Sequence, residues 1–225
     1  MNWKVIKINS KDSHQWLKEI HYAKRIPSIS YAFGLYIDDD LKGIVTYGTP
    51  SSSTLRNGVA GEENSKFVLE LNRLVFSSPI KNGASYLVSH SLSMLPKPSI
   101  IVSYADTEQG HVGYVYQACN FLYTGLSAKR TDWKIKGMEH LHGQTVADMS
   151  RNVENRAQFM RDTYGDDFYL KERPRKHRYI IIVGNKYQKR DLLPQLKYTQ
   201  EPYPKGESKR YEIEKSINKN VLDFL

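Results

Sequence analysis

Apolar residues in this chain fall into short runs separated by polar turns rich in Ser, Asn, Gly and Pro. The most coherent run lies near the middle, where Ile100, Ile101 and Val102 lead into Ser103, Tyr104, Ala105 and Asp106. A brief β-branched block bounded by polar residues predicts a fully buried strand. From Gly110 and His111 onward, Tyr114, Tyr116, Gln117, Ala118 and Asn120 predict a helix. A buried strand that delivers an acidic residue and a helix at its carboxyl end is where open α/β sheets bind ligands. Residues 99–122 are therefore the predicted site.

The remaining pattern supplies a sheet and its covering. Val5 to Ile8 reads as a strand; Trp16, Leu17, Ile20 and Ala23 fall at helical spacing, with Asp12 or Ser13 placed to cap. Residues 29–37 and 42–47 form a hairpin around Asp38, Asp39 and Asp40. Residues 49–61 are rich in Ser, Gly and Asn and predict a long loop, a flap or an excursion. Residues 66–76 alternate as a central strand, residues 81–95 form a helix closed by Pro96 and Pro98, and residues 121–128 form another strand. A helix is predicted over 153–164, preceded by a Thr145-x-x-Asp148 capping signature. A basic run over 171–178 feeds a strand over 179–183, and residues 198–204 read as an extended tail. The order is that of a mixed α+β fold: a central mixed sheet flanked by helices and a basic C-terminal appendage. It divides into a domain over 1–183, with an insertion over about 130–172, and an extension over 184–225.

Composition narrows the setting. The chain has 225 residues and a net charge of +9, distributed unevenly. Residues 1–125 hold 12 basic and 10 acidic side chains, whereas residues 126–225 hold 21 and 14. A basic second half is the footprint of a polyanion partner, with nucleic acid first. No apolar run approaches a membrane span, no signal-peptide pattern opens the chain, and Cys119 is the single cysteine. These features predict a reduced, cytoplasmic setting without membrane contact.

Asp106 is the leading chemical candidate, since partial desolvation at a strand end strengthens a carboxylate as a base. A helix cap or an ion-pair partner is an equal alternative for it. His111 follows within possible reach, and Tyr104, Tyr116 and Tyr123 offer phenols for proton donation or stacking. Tyr47 leads into the 49–61 loop. The turn at Lys81, Asn82, Gly83 and Ser85 opens a helix whose N-terminus suits an anion, or is an ordinary turn capped by Asn82. Arg173, Arg175, Lys176 and Arg178 suit phosphate contacts, and nearby aromatic residues suit stacking on bases. His140 and His142, with His111 or His177, lack zinc-type spacing, so no metal ligand is assigned and a metal requirement stays open.

Three stretches carry a resemblance: LNRLVF with KNGASYLVSHSL, then SYADTEQGHVGYVYQACNFLYTG, then HGQTVADMSR with KHRY. Together they resemble the Mom-type phage proteins, a divergent branch of the GCN5-related N-acyltransferase superfamily. The resemblance implies that superfamily's fold and a phage enzyme in the host cytoplasm. Its activity would be to convert adenine in duplex DNA to an N6-carbamoylmethyl derivative, shielding it from restriction endonucleases. Asp106, Tyr104, His111, Tyr116 and Ser103 would line the reaction centre. Arg73, Lys81, Asn82, Gly83, Ser85, Asn120 and Tyr123 would face the group donor, and Tyr47 with the basic tract would face DNA. The superfamily's phosphate-loop pattern is replaced by IKNGAS, so the donor implied is acyl-CoA or a related acetamido compound. Two other readings stand beside this one. They are a conventional acyltransferase acting on a small amine or protein, and an inactive nucleic-acid-binding protein. The oligomeric state is left open.

Overall fold

The computed structural model describes residues 2–141 and 143–206. Its centre is a seven-stranded sheet built from β1 (Trp3–Ile8), β2 (Tyr31–Ile37), β3 (Asp40–Gly48), β4 (Val68–Phe76), β5 (Ser99–Asp106), β6 (Leu122–Leu126) and a late strand, β9 (Lys176–Val183). Between the last two lie β7 (Arg130–Ile135) and β8 (Phe168–Arg173), which pair only with each other. The order across the main sheet is β1-β2-β3-β4-β5-β9-β6. Every neighbour is antiparallel except β4 and β5. The late strand thus enters between two strands formed long before it.

Alternation within the strands assigns the two faces. Ile101 and Ala105 of β5 join Leu71 of β4 in the larger core, under α3 (Gly83–Ser93) and α4 (Tyr114–Ala118). Ile100 and Val102, with Val68 and Ile180, form the opposite core under α2 (Ser53–Asn64) and α7 (Lys186–Leu192). With both faces covered, β5 carries only Ile100, Ile101 and Val102 between Ser99 and Ser103, the sequence signature of a central strand. Near the other edge, α1 (Ser10–Glu19) buries Leu17 against Ile44 and Val75. Its cap is Asn9, whose side chain accepts from Lys11 N, rather than Asp12 or Ser13.

Two expectations are corrected here. The predicted 49–61 loop is largely helix: Ser52 caps α2 by accepting from Leu55 N at 3.2 Å, and Leu55, Val59 and Ala60 pack on the sheet. The Ser- and Gly-rich composition hid that apolar spacing, and the kink comes only at Gly61, where φ is +78°. The Thr145-x-x-Asp148 signature lies inside a separate short helix, α5 (Gly143–Asp148). The following helix, α6 (Arg156–Tyr164), is capped instead by Asn155, which accepts from Gln158 N at 3.2 Å. The pair β7–β8 packs with α5 and α6 around Ile135, Val146 and Met160, a small core of its own.

Candidate functional site

Strands β4 and β5 pair in parallel only from Val68↔Ile100 to Leu71↔Ser103. Beyond that point β4 stays with β3 as far as Phe76, while β5 stays with β9 as far as Asp106. The two strands therefore separate at their carboxyl ends, and Ser103 Oγ closes the last rung by donating to Leu71 O at 2.9 Å. A bulge helps β4 turn away: Arg73 faces Thr46 and Leu71 faces Tyr47, leaving Asn72 extra. Asn72 is anchored, accepting from Thr46 Oγ1 at 2.6 Å and donating to Ser28 O at 2.8 Å.

The separation opens a cleft of about 1140 Å³ lined from both faces of the sheet. On the α2 side stand Glu70, Tyr104, Lys176 and Arg178, with Tyr198 above them. His21, Tyr22, His111 and Tyr116 line it as well. Arg178 is buried; its Nε donates to Thr124 Oγ1 at 2.9 Å and its guanidinium lies 3.3 Å from the Tyr198 ring centre. Burial pushes the Tyr104 and Tyr116 phenols up to about 12, so both remain proton donors at neutral pH. Burial, helped by Arg73 and His111, pulls His21 down to about 4, which leaves that ring neutral. Burial raises the Glu70 carboxyl above its ordinary range, while Arg73 and Lys176 pull it back.

The structure sorts the sequence-predicted residues sharply. Arg73, Tyr104, His111, Tyr116, Arg173, Lys176 and Arg178 line the cleft, and Ser103 sits at its apex. Asp106 does not line it. This carboxylate is engaged instead, pairing with Lys176 Nζ at 2.9 Å and capping the next turn by accepting from Glu108 N at 3.1 Å. Those are the two alternatives the sequence left open for it. Tyr47 is corrected outright: it is fully buried and hydrogen-bonded to Ser91 Oγ at 2.6 Å, so it cannot face DNA.

Lys81, Asn82, Gly83 and Ser85 start α3 outside the cleft lining. Asn82 makes no side-chain cap, and Gly83 is there because a Cβ would press against Ile80 and Phe76 at 3.0–3.1 Å. Asn120 turns the chain with φ +59°, and the Tyr123 hydroxyl meets His177 Nδ1 at 2.9 Å; neither lines the cleft. The basic tract is not a free cationic run. Arg173 pairs with Asp132, and Arg175 donates to Ser127 O at 2.6 Å. Cys119 behaves as a packed thiol, pushed up by burial to about 11. Among the described residues no three His, Cys, Asp or Glu side chains group to hold a metal ion, and His142 lies outside the described residues.

Glu70, His21, Tyr22 and Tyr198 are cleft residues that sequence reasoning passed over. Glu70 had the same signal as Asp106, a carboxylate inside an apolar strand.

The loop between β5 and α4 is held by Tyr179, whose hydroxyl donates to Val112 O and accepts from Gln117 Nε2 at 3.0 Å. Gly113 permits this approach: its φ is +81°, and a Cβ would lie 2.4 Å from Tyr179 Cε2. Gly113→Ala is expected to cost about 2 kcal/mol or more, from left-handed backbone strain and displaced packing. Urea unfolding would show it as a lower midpoint.

The chain belongs to the Mom protein family, whose model matches residues 2–205. Its relatives include the methylcarbamoylase mom of Escherichia phage Mu, 29% identical over 191 residues that cover 82% of this chain and 76% of that protein. Solved structures similar to it include a GNAT-family acetyltransferase from Bacillus cereus, at 14% identity and TM-score 0.43, covering 82% of this chain and all of that one. An N-acetyltransferase from Staphylococcus aureus is similar at 12% identity and TM-score 0.43, covering 81% and 99%.

Proposed function

We propose that the protein is a transferase that modifies adenine in phage DNA, adding a carbamoylmethyl group to N6 in the host cytoplasm. The observation that carries this reading is the cleft between β4 and β5. It sets a desolvated carboxylate, Glu70, beside phenols and beside an arginine–tyrosine stack. Membership of the Mom family directs that chemistry to DNA.

Adenine N6 is a weak nucleophile because its lone pair is delocalised into the ring, so its proton must leave as the new bond forms. The N6 lone pair bonds to the donor's methylene carbon, and the donor's leaving group departs with the bonding pair. The proton passes to the Glu70 carboxylate. Arg73 and Lys176 favour the charged form of that carboxylate against its burial, and the neutral phenols of Tyr104 and Tyr116 donate hydrogen bonds to the base or the leaving group. A duplex hides N6, so the nucleotide must swing out of the stack; Tyr104 and Tyr198 offer aromatic faces to receive it. The donor has a place as well. Beyond Leu71 one edge of β4 has no strand beside it among the described residues, which suits the amide-bearing arm of an acyl-CoA or a related compound. A thioester that reacted at its carbonyl would leave an acyl group on N6, whereas a carbamoylmethyl product requires attack at a methylene. The mass of the modified nucleoside distinguishes the two, after co-expression with a plasmid and digestion of the DNA to nucleosides.

A further inference from the structure

A second, smaller recess of about 280 Å³ lies at the base of the β7–β8 pair, lined by Lys129, Arg130, Glu172, Arg173, Pro174 and Arg175. Four cations thus surround a hollow that holds one carboxylate. Arg173 is paired with Asp132, but the Arg175 guanidinium donates only to the neutral carbonyls of Ser127 and Leu126. Among the described residues the Lys129 and Arg130 side chains make no ion pair or hydrogen bond, and both are exposed. Within the recess lining their positive charge is opposed by Glu172 alone.

The frame beneath is tied together by hydrogen bonds. Ser127 N donates to Lys176 O at 2.8 Å, Lys176 N donates to Ser127 Oγ at 2.9 Å, and Thr107 Oγ1 donates to Arg175 O at 2.5 Å. The recess is continuous with the cleft, because Arg130, Arg173 and Pro174 line both. Arg130 is close enough to the Tyr104 phenol to act on it electrostatically. Lys171 extends the cationic face along β8, opposite Asp132 and two positions from Arg173.

We propose that this recess is a phosphate-binding subsite that grips the backbone of a DNA strand at the cleft mouth. Backbone contacts from Lys and Arg supply most of the sequence-independent affinity for DNA, and they fix where a target nucleotide sits. A strand whose adenine enters the cleft carries its neighbouring phosphate past Arg130 and Arg173. The subsite rests on the reading of the chain as a DNA-modifying protein, and it would position the substrate without touching the reacting atoms.

The test is the double variant Lys129→Gln with Arg130→Gln, first shown by thermal melting to fold as the wild type does. Binding to short duplexes is followed by fluorescence anisotropy across a salt series, with no donor present. The expected result is affinity lower by roughly 10-fold at low salt. The slope of log affinity against log salt becomes shallower by about two, equally for unrelated sequences. Unchanged affinity and slope would overturn the proposal. A second arm titrates coenzyme A: a variant that loses coenzyme A binding while keeping duplex binding would assign the recess to the donor's phosphates and overturn it too. Binding is read without turnover, so a wild type that binds duplex in the expected way yet modifies no adenine would defeat the transferase reading alone.

Discussion

Glu70→Gln is expected to lower the rate of DNA modification by about 10²–10⁴-fold, the usual worth of a general base. Duplex affinity should stay close to that of the wild type. The substitution keeps the shape and removes only the ability to take a proton. The pH profile sharpens the test. Burial raises the Glu70 carboxyl above its ordinary range, and the groups facing it are Arg73, Lys176, Tyr104 and Tyr116. Phenols near 12 hold their protons across the neutral range. The His21 ring is already neutral above about 4, so the acidic limb of the wild-type profile is assigned to Glu70, with activity rising as the pH passes upward through its raised range. Glu70→Gln should lose that limb.

Stability moves the other way. A carboxyl whose folded pKa exceeds its unfolded value weakens the fold above both, because the unfolded chain releases the proton more readily. Glu70→Gln should then be at least as stable as the wild type at neutral pH, which separates lost chemistry from lost structure. Rates within a few-fold of wild type would remove Glu70 from the mechanism.

Arg178→Leu is expected to weaken both the fold and the site. Arg178 is only 8% exposed, and it donates to Thr124 Oγ1 at 2.9 Å and to Thr124 O at 2.7 Å. Charge-assisted hydrogen bonds of this kind contribute about 1.5–3 kcal/mol, and the stack on Tyr198 adds about 1 kcal/mol. Leucine fills part of the volume and none of the polarity, so a loss of about 2–4 kcal/mol is expected on urea unfolding. The consequence reaches the C-terminal segment. Tyr198 sits over the guanidinium, and residues 197–206 are pinned by Lys197 N to Val59 O at 2.9 Å and by Glu201 N to Tyr123 O at 2.8 Å. Loss of the stack should raise amide exchange around Tyr198. Arg178→Lys, which keeps charge without the planar fork, should fall between the two. An Arg178→Leu protein as stable as the wild type would show that the Thr124 contacts contribute little.

Much of the architecture was legible because it rests on local pattern. The Ile100–Val102 block, the alternation along β4 and the Asp38–Asp40 turn each announce their element within a few residues. The site was legible as a region but not as a set of residues. Its cleft exists because β4 and β5 part after Leu71 and Ser103, a property of pairing between strands that no single stretch encodes. Asp106 and Glu70 look alike in sequence, each a carboxylate in an apolar strand. Asp106 pairs with Lys176 and is not among the residues lining the cleft, whereas Glu70 lines the opening. The basic tract, which as a run suits phosphate contacts, turns a corner between β8 and β9 when folded and pairs part of its charge with Asp132, Asp106 and backbone carbonyls. Lys129 and Arg130, which make no ion pair among the described residues, lie forty residues or more upstream of that tract and meet it through the β7–β8 pairing Arg130↔Arg173 and the Ser127–Lys176 hydrogen bonds.

Whether the cleft between β4 and β5 modifies adenine in DNA is measured directly by nucleoside mass spectrometry of a co-resident plasmid. The plasmid from cells making the wild-type protein should yield an adenosine carrying a carbamoylmethyl group on N6. The plasmid from cells making the Glu70→Gln protein at equal level should yield almost none. Unmodified adenosine from the wild-type culture, with the protein soluble and folded, would contradict the account.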